Sequence, residues 1–456
     1  MTVSNDLAKF VSDLRFDQLS PEVVSEAKTR VIDALGAIIA GSQTTIGRML
    51  TGLAQDTTEG ARATILPWGK KADVLLAALV NSSVAHCAEI DDIHPGSVTC
   101  TGAMVVPAVL VFSELKRSAG RQLIEAIVAG YEVVTRVGLG VKGEKLLAKG
   151  WWPSSIAGPL GVAAAVSKLL GHDAETMTHA MGIAGILAGG LLTGGVEGAT
   201  GRHFLFGRSV QNGAQASLLA QKGFTGPGQI LEDRRGLYLS RDVEPSLNRM
   251  TEGLGQTYFF LGTDLKLFAC ALQLQAAVLA LVGLMEENSL AFEDLQTVTA
   301  WLPPKAFMTT NRSGIPPNHT AGVSYGPFIL ASAAIHGEVL PEQFNPEKMS
   351  DRKLRDLVQR VNLKEDGQLE SYGDRWPARV EVKCSDGTLH RREVQDWSGK
   401  SAEARRGMAE AKFRKLARHF FEGYEMDEIF RAVDRLDEAI SVEPLLQGYC
   451  RATARR

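Results

Sequence analysis

A chain of 456 residues exceeds what one hydrophobic core usually supports, so two domains are expected. With 45% hydrophobic and 22% charged residues it has the composition of a soluble globular protein, and a net charge of −3 gives it no basic excess to attract nucleic acid or a lipid surface. Five cysteines, odd in number and without a CxxC pair, argue against a disulfide framework or a zinc knuckle and fit a reducing compartment.

The opening "MTVSNDLAKFVSDLRF" carries acidic residues and no continuous apolar segment, so it does not read as a secretory signal. Apolar stretches are broken by Gly, Ser or charge within about 18 residues, so no membrane span is expected and a cytoplasmic location is. "LSPEVVSEAKTRVIDALGAIIAG" predicts a helix with Ser20 as N-cap, Pro21 at the first turn, apolar residues at helical spacing, and Gly41 as the stop. "ADVLLAALVNSSVAHCAEI", "GAMVVPAVLVFSELKRSAG" and "RQLIEAIVAGYEVVTRVG" continue as helices. So do "GPLGVAAAVSKLLG", "AETMTHAMGIAGILAGG" and "GRSVQNGAQASLLAQKG". Being apolar on more than one face, they belong inside a bundle.

The texture changes near Lys266. "LQTVTAWLP" and "ARVEVKCSDGTLHRREV" alternate like strands, the second around an Asp386-Gly387 turn, with "YGPFILASAAIHG" and "DRKLRDLVQRV" as helices between them. The last part, with "EARRGMAEAKFRKLARHF" and "EMDEIFRAVDRLDEAI", is helical again. The expected fold is mainly α. A helical-bundle domain is built from both chain ends, residues 1–265 and 399–456, with a smaller α+β domain, 266–398, inserted.

"GLGVKG" at Gly138–Gly143 matches G-x-G-x-x-G but follows a helical pattern instead of a strand, so it reads as a helix-to-loop exit. "HCAEIDDIHPGSVTC", His86 to Cys100, is the densest cluster of chemistry in the chain. Three readings stand beside one another. His86, Glu89 or Asp91, and His94 could ligate a metal, although structural zinc prefers tighter repeated spacings. Asp91 and Asp92 could be a helix end, although two carboxylates there oppose the macrodipole. Or the stretch is an acid/base site.

"HCAEIDDIHPGSVTCTGAMVVPAVL" resembles the signature of the MmgE/PrpD family, an Asp-Asp-x-His-Pro turn followed by a His-Pro-Gly-Ala run and a helix. "GYEVVTRVG", "GWWPSSIAGPLGVAAAVSKLLG", "FGRSVQNGAQASLLAQKGFTGP", "ILEDRRG", Lys266 in "LKLFAC" and "EAKF" at Glu410–Phe413 match in the family's order, over nearly the whole chain. The resemblance implies a site between bundle and inserted domain, a homodimer, and proton transfer next to a carboxylate of a small polycarboxylate without metal or organic cofactor. Family members include 2-methylcitrate dehydratases, cis-aconitate decarboxylases and an iminodisuccinate epimerase. A lyase is the leading expectation, a two-base epimerase the alternative, and a non-catalytic carboxylate-binding paralogue the third.

Departures from the family pattern bear on the chemistry. A family histidine falls on Cys100, another on Trp152, a lysine on Arg202, a histidine on Gln275, and a tyrosine on Phe328, with Tyr325 nearby. Asp92, His94, Arg208 and Lys266 remain. The resemblance therefore implies Asp92, His94, Cys100 and His203 as the proton-moving groups. It implies Arg202, Arg208, Lys266, Trp152, Gln275 and Tyr325 as substrate-binding groups, with Trp152 favouring a bulkier or less charged substrate. No metal ligand set is expected. His172, His179, His319, His336, His390 and His419 read as structural or surface groups, and Tyr131 and Glu132 as bundle contacts.

Overall fold

The computed structural model describes residues 2–55, 61–399 and 401–453. The helix Pro21–Ser42 starts as its sequence dictates. Ser20 Oγ accepts from the Val23 N–H at 3.3 Å, and Pro21 stands at the first position, where no donor is needed. Gly41 does not end it. The helix runs on to Ser42, and Gly41 serves close approach instead, since a Cβ there would lie 1.8 Å from Val84 O on the neighbouring helix Val74–His86.

Helices Gly102–Lys116, Gly120–Val141, Pro153–Leu170 and Gly201–Gln221 complete the centre of the bundle. Pro153–Leu170 is buried along nearly its whole first four turns, which is why its sequence shows no polar face. Gly213 lets Gly201–Gln221 approach it, since a Cβ would stand 2.4 Å from Pro159 O. Gly120–Val141 runs to the middle of "GLGVKG" and ends there, with Lys142 at φ 52°.

After the smaller unit the chain returns to this bundle, and the helix Ala402–Ala417 packs on Pro21–Ser42. Phe413 lies over Gly36, and the buried Lys412 ammonium holds Asp33 Oδ1 at 2.6 Å and also binds Ile90 O. Lys412 is the lysine of "EAKF", and its partner Ile90 stands in the crowded turn after His86. The far end of the sequence thus clamps the candidate site.

Between these two parts lies the smaller α+β unit. After a short hairpin in the bundle, β1 (Ala63–Ile65) and β2 (Lys70–Ala72), a four-stranded sheet is made by β3 (Leu295–Leu302), β4 (Val361–Glu365), β5 (Ala378–Cys384) and β6 (Leu389–Val394). Its order is β4-β3-β5-β6, with β3 and β4 parallel and the other pairs antiparallel. The Asp386-Gly387 turn joins β5 to β6, with Gly387 at φ +90°. "DRKLRDLVQRV" is only partly a helix. The chain leaves Arg352–Val358 and becomes β4 at Val361, because Val361 and Leu363 alternate inward against the helix Gly326–His336. No helix among the described residues is long and apolar enough to cross a membrane.

Candidate active site

The helix Val74–His86 ends with a fully buried imidazole. His86 Nδ1 lies 3.0 Å from Asp91 Oδ2, and His86 Nε2 lies 3.1 Å from Arg202 Nη2. A tautomer protonated on Nδ1 satisfies both contacts: it donates to Asp91 and accepts from the guanidinium. Burial lowers His86 to about 4 despite Asp91, so this neutral form is the one present near pH 7. On the helix Gly201–Gln221, Arg202 and Phe206 share a face four residues apart. Phe206 stacks on His86 at 3.5 Å between ring centroids, and the Arg202 guanidinium lies 4.7 Å over the Trp152 ring. The Asp91–His86–Arg202 chain and the indole together fix the direction of the guanidinium.

Glu89 lies beyond the helix with φ +52°, a left-handed conformation that a non-glycine residue adopts only when its surroundings hold it. That turn aims its carboxylate between two cations. Oε1 pairs with Arg202, and Oε2 stands 3.0 Å from Lys266 Nζ. Lys266 is delivered from the other side by a two-bond bridge in which Ile93 N–H donates to Asp264 O at 2.9 Å and Asp264 N–H to Ile93 O at 2.8 Å. Its Nζ also lies 3.5 Å from Asp91 Oδ1 and 3.8 Å from Cys100 Sγ. Burial pulls the Asp91 carboxyl upward, but His86 and Lys266 outweigh it and hold it below the ordinary carboxylate range. Burial likewise works against the Lys266 ammonium, and Asp91 together with the neighbouring cysteines outweighs it and holds it above its ordinary value. Two cations and two carboxylates therefore balance in this buried set, as buried charges must.

Glu89, Cys100, Trp152, Ser154, Arg202 and Lys266 form one end of a cavity of about 510 Å³, in the range of small-molecule sites. Across from them the α+β unit contributes Lys305, Met308, Arg312, Val323 and Trp376. The site thus lies where bundle and smaller unit meet, and five cations line it against two carboxylates, Glu89 and Glu144.

A sequence model of the MmgE/PrpD N-terminal domain matches residues 5–243, and one of the MmgE/PrpD C-terminal domain matches residues 268–438. The chain belongs to the MmgE/PrpD family. It is 24% identical to the cis-aconitate decarboxylase-like protein oryM of Aspergillus oryzae, over 97% of this chain and 96% of that protein. It is also 24% identical to a cis-aconitate decarboxylase of Aspergillus terreus, over 98% of this chain and 95% of that protein. The cis-aconitate decarboxylase of Mus musculus is 24% identical over 85% of this chain and 80% of its own length.

In this MmgE/PrpD chain the expected site residues divide into two groups. Arg202, Lys266, Cys100 and Trp152 converge on the cavity. Asp92, His94, His203, Arg208, Gln275 and Tyr325 are not among its lining residues. Asp92, expected to move protons, is fully buried: it accepts from Tyr131 Oη at 2.6 Å and from the Gly102 N–H at 2.7 Å, with Arg30 Nη1 at 3.5 Å. His94 accepts from the Ser97 N–H at 3.1 Å through Nδ1, and its Nε2 faces Gly262. His203 sits behind Arg202 with Nε2 3.2 Å from Thr320 Oγ1. Arg208 is exposed and bonded to Gln211, because six residues of α-helix turn it far from the Arg202 face. Gln275 spends its carboxamide on the backbone, accepting from Leu267 N–H at 2.9 Å and donating to Phe268 O at 2.9 Å, so it splints the segment that follows Lys266. Tyr325 is half-buried at the start of Gly326–His336, beside the lining Ser324.

Three groups in the site are not among the residues expected to move protons or bind substrate. Glu89 and Asp91 belong to the ion-pair set, and Ser154 accepts from the Cys100 N–H at 3.0 Å. His86, Asp91 and Cys100 do place donor atoms within 4.8 Å of one another. The Lys266 ammonium already stands close to two of them and would repel a metal cation placed there.

The buried histidines predict how stability depends on pH. Burial depresses His86, His94 and His319 to about 4, and His203 well below its ordinary value. Each stays neutral in the folded chain and gains its proton on unfolding, so stability is lost as pH falls from about 6.5 toward about 4, by up to about 1.4 kcal/mol per pH unit per histidine. Asp92 and Asp264, pushed up to about 6, act in the opposite sense over about pH 4–6 but are fewer. Thermal unfolding between pH 7.5 and 4.5 is expected to show a steep fall in Tm on acidification; a flat profile would show that these histidines titrate normally in the fold.

Proposed function

We propose that the chain is a lyase that removes CO₂ from a small unsaturated polycarboxylate. In such a reaction a proton adds to the far carbon of the double bond while the C–CO₂ bond breaks. The electron pair of that bond becomes the new double bond, and CO₂ departs. Arg202 and Lys266 hold the carboxylates that stay, the first through its bidentate fork and the second as a point charge, and stabilise charge that spreads onto them in the transition state. Glu89 takes a proton from water once the substrate carboxylates compete for Arg202 and Lys266, and passes it to the carbon as CO₂ leaves. The reading is carried by one observation: the Glu89 carboxylate lines the cavity while bracketed by Arg202 and Lys266. The names of the similar proteins support the same class of reaction and substrate.

The two-base alternative, an epimerase, has less behind it. His94 and His203 do not line the cavity, and burial pushes the Cys100 thiol well up, where it holds its proton and makes a poor base. The test is a screen of cis-aconitate and related di- and tricarboxylates in D₂O by NMR. CO₂ loss with one deuterium in the product is the expected result. Deuterium exchange without CO₂ loss would replace the lyase by the epimerase, and neither change in any acid tried would remove both.

A further inference from the structure

Beyond the ionic end, much of the cavity wall is apolar. Ile93, Val98, Leu147, Leu192 and Met308 line it, and between them stand Gln273, Thr309, Ser324 and the Trp376 indole, whose N–H has no partner among the described residues. Cations reappear only with Lys145, Lys305 and Arg312, of which Lys305 holds Glu144 at 2.7 Å. A bare tricarboxylate makes poor use of such a space. Arg202 and Lys266 are the buried cations of the lining, so a carboxylate beyond those they hold would lie against a largely apolar wall.

Val98 supplies an independent observation. Its φ is +55°, a genuine outlier for a β-branched residue. The turn is held there by its own bonds: Val98 N–H donates to His94 O at 2.8 Å, His94 N–H donates to Thr99 O at 2.9 Å, and Ser97 and Thr99 hydroxyls lie 2.6 Å apart. Asn or Gly would adopt that conformation with less strain, so the turn does not select valine. What valine contributes is a branched apolar surface on the cavity. Met308, opposite, keeps a long apolar side chain 77% exposed on the short helix Pro304–Thr310.

We infer that the substrate is a polycarboxylate bearing an alkyl chain, its acid end held by Arg202 and Lys266 and its chain laid along Val98, Leu147, Leu192 and Met308. The inference rests on the proposed function, since it takes the ionic end as the place where the carboxylates bind.

The test is a homologous series: cis-aconitate, and the same acid with a methyl, propyl or hexyl group in place of one methylene hydrogen. The expected result is a kcat/KM that rises by up to about fourfold for each methylene buried, until the chain outgrows the cavity. Turnover of the bare acid with no gain along the series would overturn the inference and leave the proposed function standing. A series in which no member binds or reacts would overturn both. Val98→Asn relieves the strained backbone, so its Tm is expected to hold or rise while the preference for propyl over methyl shrinks. Met308→Asp, at an exposed position, is expected to shrink it as well. A chain-length preference unchanged in both variants would place the alkyl group elsewhere and overturn the assignment of this wall.

Discussion

Glu89→Gln is expected to lower kcat by about 10²–10⁴-fold while KM for the polycarboxylate stays the same or falls. Glutamine keeps the shape of the side chain but cannot carry the proton. It also removes the negative charge that competes with substrate for Arg202 and Lys266, leaving Lys266 with Asp91 and Arg202 with the neutral His86. Loss of the shared carboxylate from a buried ionic set costs about 3–5 kcal/mol in the empty protein. A saturated analogue such as tricarballylate should restore much of that loss, because its carboxylate replaces the one removed. Steady-state kinetics with thermal unfolding, with and without the analogue, check both halves. A variant with unimpaired kcat and a raised KM would make Glu89 a binding group and move the proton elsewhere.

That such a residue escapes a reading of the sequence has a physical cause. His86 and Glu89 are three apart, and helical spacing places them on one face, but the helix stops at His86 and Glu89 takes φ +52°. From there periodicity says nothing about which way Glu89, Asp91 or Asp92 points. Asp91 and Asp92 are neighbours in sequence and lead to different places: one to His86 and Lys266, the other to Arg30 and Tyr131. Where the chain stays regular, the pattern was legible. Ser20 and Pro21 announce the start of their helix, Asp386-Gly387 announces a hairpin, and a mainly helical fold with a smaller α+β unit follows from where alternation replaces helical spacing. Lys266, Arg202, Cys100 and Trp152 were legible by resemblance to a family, since motif order survives substitution of the side chains themselves. Arg208 could have been set apart from Arg202 by helix phase alone. Gln275 could not, because its place depends on a short 3₁₀ turn, Leu272–Leu274, before its helix begins.

Asp92→Ala is expected to cost about 3–5 kcal/mol of stability while leaving kcat per folded molecule within about threefold. The carboxylate accepts from Tyr131 and the Gly102 N–H and faces Arg30, whose other nitrogen holds Glu26 and also donates to Thr263 O at 2.7 Å. Through that guanidinium it ties the turn after His86 to the segment that carries Lys266, so it acts as a positioning residue. Its pH signature separates this role from a reacting one. Burial, opposed by Arg30, pushes Asp92 up to about 6, above the unfolded value of about 3.9. A raised carboxyl contributes stability that is fully present below about pH 4 and is lost as pH rises through about 6, an effect of about 3 kcal/mol over that window. Asp92→Asn should abolish this contribution to the pH dependence of unfolding and leave the pH profile of kcat unmoved. A kcat loss as deep as that of Glu89→Gln, or a kcat profile shifted by the amide, would return Asp92 to the reacting groups, and the cavity would then have to open to it during turnover.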